Sequence, residues 1–252
     1  MNAKSLQLLS APIIEAVIDI DCDMPPTVDL AALAPAATQA FSTQYPNTRT
    51  QLTQETQFEI KDQESPKVTT QHGLAALQFF SEDERQLVQF RRQGFSFNRL
   101  APYSSLDDYL PEIERTWRLF VNLAAPVTIT RIRLRYINRL GLPLTNGKVE
   151  LDEFLKLGPR LPDDANLMFS SFLNQHIVTE SVTGNIVKII MSSQPPEGET
   201  LPLILDIEAE RPCAIEPTDW TQIAERIGSL RSLKNLIFNQ SLTETCLNLF
   251  RQ

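Results

Sequence analysis

The 252-residue chain is 42% hydrophobic and 21% charged, the balance of a globular protein with a sizeable core, in one large domain or two of ordinary size. A formal net charge of −8 argues against a general nucleic-acid binder, whose affinity comes mainly from neutralising phosphates. Three cysteines, Cys22, Cys213 and Cys246, are odd in number and lack C-x-x-C spacing, so the sequence indicates neither a disulfide framework nor a zinc knuckle, and a cytoplasmic location is expected.

The short apolar run at 6–11 is interrupted by Pro12 and Glu15 before a signal-peptide core could form, and no stretch has the roughly 18 apolar residues of a membrane span. Ile14, Ala16, Ile18, Ile20 and Cys22 then alternate with Glu15, Val17, Asp19, Asp21 and Asp23, the period of a half-buried strand with one largely acidic face. Met24-Pro25-Pro26 ends it, and Thr27 is a candidate N-cap for a helix over 28–44, kinked at Pro35. Past a turn at Tyr45-Pro46-Asn47, three strands are predicted at 49–61, 74–80 and 86–98. In the third, the apolar phase slips from Val88 and Phe90 to Phe95 and Phe97 around Gly94, which predicts a bulge. Ser104 or Ser105 caps a helix over 106–123 with Trp117, Phe120 and Val121 on its buried stripe; Pro111 allows a later start.

After Pro126 the order restarts, with a strand at 127–140, a loop through Thr145-Asn146-Gly147, a short helix near 151–157, and strands at 169–182, 186–192 and 201–210. A tight hairpin turn is expected at Thr183-Gly184-Asn185. Asp219 caps a long helix carrying Ile223, Ile227, Leu230, Leu233 and Ile237, with a break near Asn239 and a terminal helix opened by the Ser241-x-x-Glu244 capping box. Leu242, Cys246, Leu249 and Phe250 extend an apolar stripe that would cover a sheet face or serve a homodimer or partner helix. The expected fold is therefore α+β, with mainly antiparallel sheet and a helical C-terminus. It consists of two similar βαβββα halves, 1–125 and 126–252, which could form one compact unit.

The central strand sets Arg131, Arg133, Arg135 and Arg139 against Ile132, Leu134 and Tyr136 on alternate residues. Facing Glu15, Asp19, Asp21 and Asp23, these arginines could form cross-strand ion pairs worth about 0.2–1 kcal/mol each. Alternatively they could line a groove that binds a carboxylate or phosphate through guanidinium forks. Asn-Arg-Leu occurs twice, at Asn98-Arg99 and Asn138-Arg139, where it could tie strand ends in a symmetric way or contact a ligand. His72 and His176, the only histidines, lie far apart and lack metal-ligand spacing. There is no G-x-S-x-G elbow and no Walker or Rossmann glycine pattern, so no catalytic residue, metal or cofactor is indicated.

Three stretches carry a resemblance: Pro12-Ile13-Ile14-Glu15-Ala16, Phe95-Ser96-Phe97-Asn98-Arg99-Leu100 with Pro102-Tyr103, and Arg131 through Arg139. Together they resemble a sporadically distributed, uncharacterised prokaryotic family of similar length, over nearly the whole chain. The resemblance implies no catalytic residue. Its patchy distribution is the kind seen for mobile, defence-associated or toxin–antitoxin genes. The resulting expectation is a binding or interaction protein, such as an antitoxin-like or defence accessory, that recognises a protein partner or small anionic ligand at the central arginines. The alternative is an enzyme acting on a small anionic or nucleotide-like substrate with Glu15 or Asp19 as general base. Paired Arg and carboxylate rows would favour the first, and rows converging on an empty cavity the second.

Overall fold

In a computed structural model, which describes residues 11–59, 67–162 and 167–251, the chain is α+β and its strands form one continuous nine-stranded antiparallel sheet. The first strand, β1 (Ile13–Asp23), follows the predicted alternation. It leads to α1 (Leu30–Phe41), whose N-cap is Asp29 and not Thr27; the Asp29 carboxylate accepts the Ala31 amide at 3.0 Å. Next come β2 (Asn47–Glu59) and β3 (Lys67–Phe80).

The predicted bulge at Gly94 is instead a chain reversal. β4 (Gln86–Arg91) and β5 (Gly94–Leu100) form a hairpin with Arg91 opposite Gly94, so Arg92 and Gln93 make a two-residue turn. Phe90 faces Phe95 and Val88 faces Phe97, which puts all four on one face. The even-to-odd slip thus comes from the chain folding back on itself. Gly94, at φ +140°, approaches the Ile20 carbonyl, where a Cβ would collide.

The remaining elements are α2 (Leu106–Ala124), β6 (Thr128–Pro143), α3 (Leu151–Phe154), β7 (Leu173–Thr179), β8 (Ile186–Ser193), β9 (Thr200–Ile215), α4 (Trp220–Ser241) and α5 (Glu244–Asn248). The break predicted near Asn239 comes later. α4 runs through Ser241, and the cap of α5 is Thr243, whose hydroxyl accepts from the Cys246 amide. Leu242 and Cys246 are buried within the chain, leaving Leu249 as the more exposed part of that stripe.

The strand order is β2-β3-β4-β5-β1-β6-β9-β8-β7. β1 and β6 are neighbours at the centre; β1 lies beside β5 and β6 beside β9. The chain before α2 supplies five strands and the chain after it four, so the two halves differ by one hairpin strand.

One face carries the core. Phe79, Phe90 and Phe95 pack with Phe41, Trp117 and Phe120 from α1 and α2, and Leu134, Leu205 and Ile207 join the same cluster as Ile223, Ile227 and Leu230 of α4. Burying each such side chain stabilises by about 1.5–3 kcal/mol. Trp117 donates its indole N–H to the Pro217 carbonyl at 2.9 Å, fastening α2 to the segment leading into α4. No helix among the described residues is long and apolar enough to cross a membrane.

Candidate functional site

The side chains on the face opposite these helices are polar at the centre of the sheet. The β1–β6 register sets Asp19 opposite Arg133 and Asp21 opposite Arg131, and β9 brings Glu210 and Glu208 opposite Arg133 and Arg135. Arg133 bonds both Asp21 oxygens, at 2.9 and 3.1 Å, and lies 3.5 Å from Asp19. From β4, Arg91 reaches Asp21 at 2.8 Å and donates to the Phe95 carbonyl at 2.9 Å, while the Ser96 hydroxyl donates to Asp19. Arg135 grips Asp206 with two nitrogens, at 2.9 and 2.6 Å. Arg131 lies 3.5 Å from Glu210, and Arg139 is 2.6 Å from Glu197. Glu15 accepts from the Asn98 amide at 2.8 Å.

The central charges are therefore paired with one another. Hydrogen bonding to Asp206 holds the Arg135 guanidinium above its ordinary pKa. For Arg133, burial opposes the charge, and Asp19, Asp21, Glu208 and Glu210 together more than restore it. Burial pushes the Glu208 carboxyl up, against the pull of Arg133 and Arg135. Beside it lies a cavity of about 70 Å³ lined by Arg135, Lys188, Ile190, Asp206 and Glu208. That is well below the roughly 300 Å³ at which ligand pockets begin.

The two Asn-Arg pairs, expected to be symmetric, are not equivalent. Strand alternation sends Asn98 to the polar face and Arg99 to the helix-covered face. In β6 the order is reversed: Asn138 is buried on the covered face, donating to the Leu205 carbonyl at 2.9 Å, and Arg139 is on the polar face. The cause is register: Asn98 pairs with Val17, whereas the residue aligned with Glu15 across β6 is Ile137. Arg99 consequently lies apart from Arg131, Arg133, Arg135 and Arg139.

A second cluster occupies the covered face. The Arg99 guanidinium lies 5.3 Å from the Tyr109 ring, with its Nε buried and without an acceptor. The Tyr103 and Tyr136 hydroxyls are 2.8 Å apart. Lys234 of α4 is 6% exposed and its Nζ stands 3.7 Å from the Tyr136 ring centroid. Burial, helped by nearby Arg231, lowers its pKa to about 7. Arg231 is itself paired with Asp107 at the start of α2, at 2.7 Å. Sequence reasoning passed over Lys234, yet a signal was present: the 4-3-4 spacing of Ile223, Ile227 and Leu230 puts position 234 on the buried stripe.

Among the described residues, no group of three His, Cys, Asp or Glu side chains is placed to hold a metal ion. Burial pushes the Cys22 and Cys246 thiols up to about 12, so both are poor nucleophiles at neutral pH. The chain matches no protein-family model and no curated protein.

Proposed function

We propose that this chain is a binding protein whose polar sheet face docks a protein partner with a net basic contact surface. The observation that carries this reading is the pairing of Arg91, Arg133 and Arg135 with Asp19, Asp21 and Asp206 on a face that the core helices leave open. Pairing locks long side chains in place, so an incoming protein meets a preorganised pattern of both signs and loses less entropy on docking. An excess of acid over the whole chain favours approach by a basic surface. Small-ligand binding and catalysis at this face are less well served, because the guanidinium forks are already occupied and the adjacent cavity is small. Nucleic acid is disfavoured for the same reason: arginines paired with carboxylates neutralise few phosphates. An antitoxin-like or defence-accessory role is one setting for such a binder, suggested by the three-motif resemblance. The two halves read as diverged versions of one unit, since in each the first strand lies beside the last.

The test is site-specific photocrosslinking in the cells that make the protein, with the probe at Gln89 or Ile190 on the polar face and at Glu225 on α4 as control. Discrete protein adducts are expected from the first two positions only, and Glu197→Arg, which reverses an acidic charge at an exposed margin of the network, should weaken them. Equal adducts from Glu225, or none from the polar face, would overturn the reading.

A further inference from the structure

The sheet ends on two strands of opposite character. At one edge β2 is rich in threonine and glutamine, with Arg49 paired to Glu84, the polar and charged surface that keeps an edge from pairing. At the other edge β7 carries no Asp, Glu, Lys or Arg. Residues 167–182 around it hold seven of the thirteen large hydrophobic side chains exposed among the described residues, including Leu173 at 71%, Ile177 at 65% and Val182 at 90%. Hydrophobic side chains exposed singly need no explanation, whereas such a concentration on a free edge marks a contact surface.

The free edge has a defined hydrogen-bonding phase. The Glu180 amide donates to the Asn185 carbonyl at 2.8 Å and the Ser193 amide to the Phe172 carbonyl at 3.2 Å, so the even-numbered residues here direct their backbone groups at β8. By alternation Leu173, Gln175, Ile177 and Thr179 direct theirs outward, where no described strand receives them. Their side chains lie on the polar sheet face, since Gln175 is opposite Ile190 and Ile177 opposite Lys188. Asn174 and His176 lie on the covered face, opposite the buried Met191 and Ile189.

We propose that β7 pairs antiparallel with β7 of a second copy of this chain, about a two-fold axis at Gln175, so that two nine-stranded sheets join into one. In this register Gln175 faces its own copy and Leu173 faces Ile177 of the second chain, as hydrogen-bonded pairs that use the outward amides and carbonyls. The two most exposed apolar side chains of the strand thereby cover each other on the polar face. On the covered face Asn174 meets His176 of the second copy in a non-hydrogen-bonded pair, where side chains approach most closely. The His176 Nε2 has no hydrogen-bond partner among the described residues, and a carboxamide offers it either a donor or an acceptor. An axis at Ile177 instead would set Leu173 against Ser181 and His176 against Val178. Charge also favours this site: each chain has a formal net charge of −8, yet two copies of an uncharged strand confront no like charges. The two-fold axis is perpendicular to the joined sheet, which leaves both polar faces on the same side.

The experiment measures the mass of the full-length protein by sedimentation velocity over a wide concentration range, and the register by cysteine crosslinking. A reversible dimer is expected. Gln175→Lys, at an exposed position, sets two lysines face to face and should weaken dimerisation by about tenfold or more, whereas Thr50→Lys on the β2 edge should leave it unchanged. Under mild oxidation Gln175→Cys should give a disulfide-linked dimer, because the Cα atoms of a facing hydrogen-bonded pair lie about 5.5 Å apart, within disulfide reach. Leu173→Cys and Ile177→Cys, each silent alone, should crosslink when mixed, with the wild-type protein giving the background from its own cysteines. A monomer at every concentration, a dimer that Gln175→Lys leaves intact, or crosslinking by Ile177→Cys alone overturns the proposal. So does a Gln175→Cys adduct with a different protein in place of a second copy. If Gln175→Lys does not fold, the mixed pair at Leu173 and Ile177 decides.

Discussion

The two faces of this sheet treat positive charge in opposite ways. On the polar face Arg91, Arg133 and Arg135 each meet a carboxylate within 3 Å. On the covered face Arg99 and Lys234 stand against the rings of Tyr109 and Tyr136 instead. The first arrangement keeps its charges and fixes their positions. In the second, desolvation outweighs the attraction of the ring, and the lysine gives up its proton near neutrality. The difference teaches that a half-open face can afford ions in numbers when they are paired, whereas a lysine buried against a ring is accommodated by a change of protonation state.

The largest expected effect tests the backbone on which the polar network is built. Gly94→Ala would drive a Cβ into the Ile20 carbonyl at a φ that L-residues avoid, separating β5 from β1. The expected cost is at least about 3 kcal/mol, visible as loss of a cooperative denaturation transition. Retention of wild-type stability would mean that β1 and β5 are not packed as described.

Removing Asp21 comes next, because it leaves Arg91 and Arg133 without their closest common partner. Asp21→Ala should destabilise by about 1–3 kcal/mol in urea at low salt, the range for partly buried pairs, and by less at high salt. Lys148→Ala, on an exposed loop, should stay within about 0.5 kcal/mol. Equal effects of the two variants would show that the network contributes nothing to stability.

The smallest change has the opposite sign. With a folded pKa of about 7 and an unfolded value near 10.5, Lys234 binds more protons unfolded than folded between those limits, so wild-type stability should rise as pH rises through that window. Lys234→Met should therefore stabilise the protein by about 1–2 kcal/mol at pH 7, with the advantage shrinking toward pH 10. Thermal melts of both proteins across that range supply the measurement. An advantage that does not change with pH would show that Lys234 stays charged in the fold.

Much of the local structure was legible before any coordinates. The alternation of β1 and β6 and the Asp219 cap of α4 are encoded within a few residues and reappear where expected, and of the two serines offered as the cap of α2 it is Ser105. Other features were written in local signals whose meaning was ambiguous. The phase slip at Gly94 fits a bulge or a two-residue hairpin equally well, and only the Phe90–Phe95 pairing decides between them. Likewise, the repeated Asn-Arg-Leu conceals opposite orientations, because the face on which a strand residue lies depends on its neighbours' register.

By itself, the sequence determined that acidic and basic residues would occupy alternate positions on two strands, since side-chain alternation is a property of the backbone. It also determined that Lys234 would fall on an apolar helical stripe. Only the tertiary structure decided that Arg133 meets Asp21, 112 positions away, and that Arg135 meets Asp206, 71 positions away. It alone set Lys234 over Tyr136, with no carboxylate paired to it among the described residues. The physical reason is range. Periodicity is set by neighbouring peptide units, whereas ion pairing and desolvation depend on which distant strands and helices the core packing brings together.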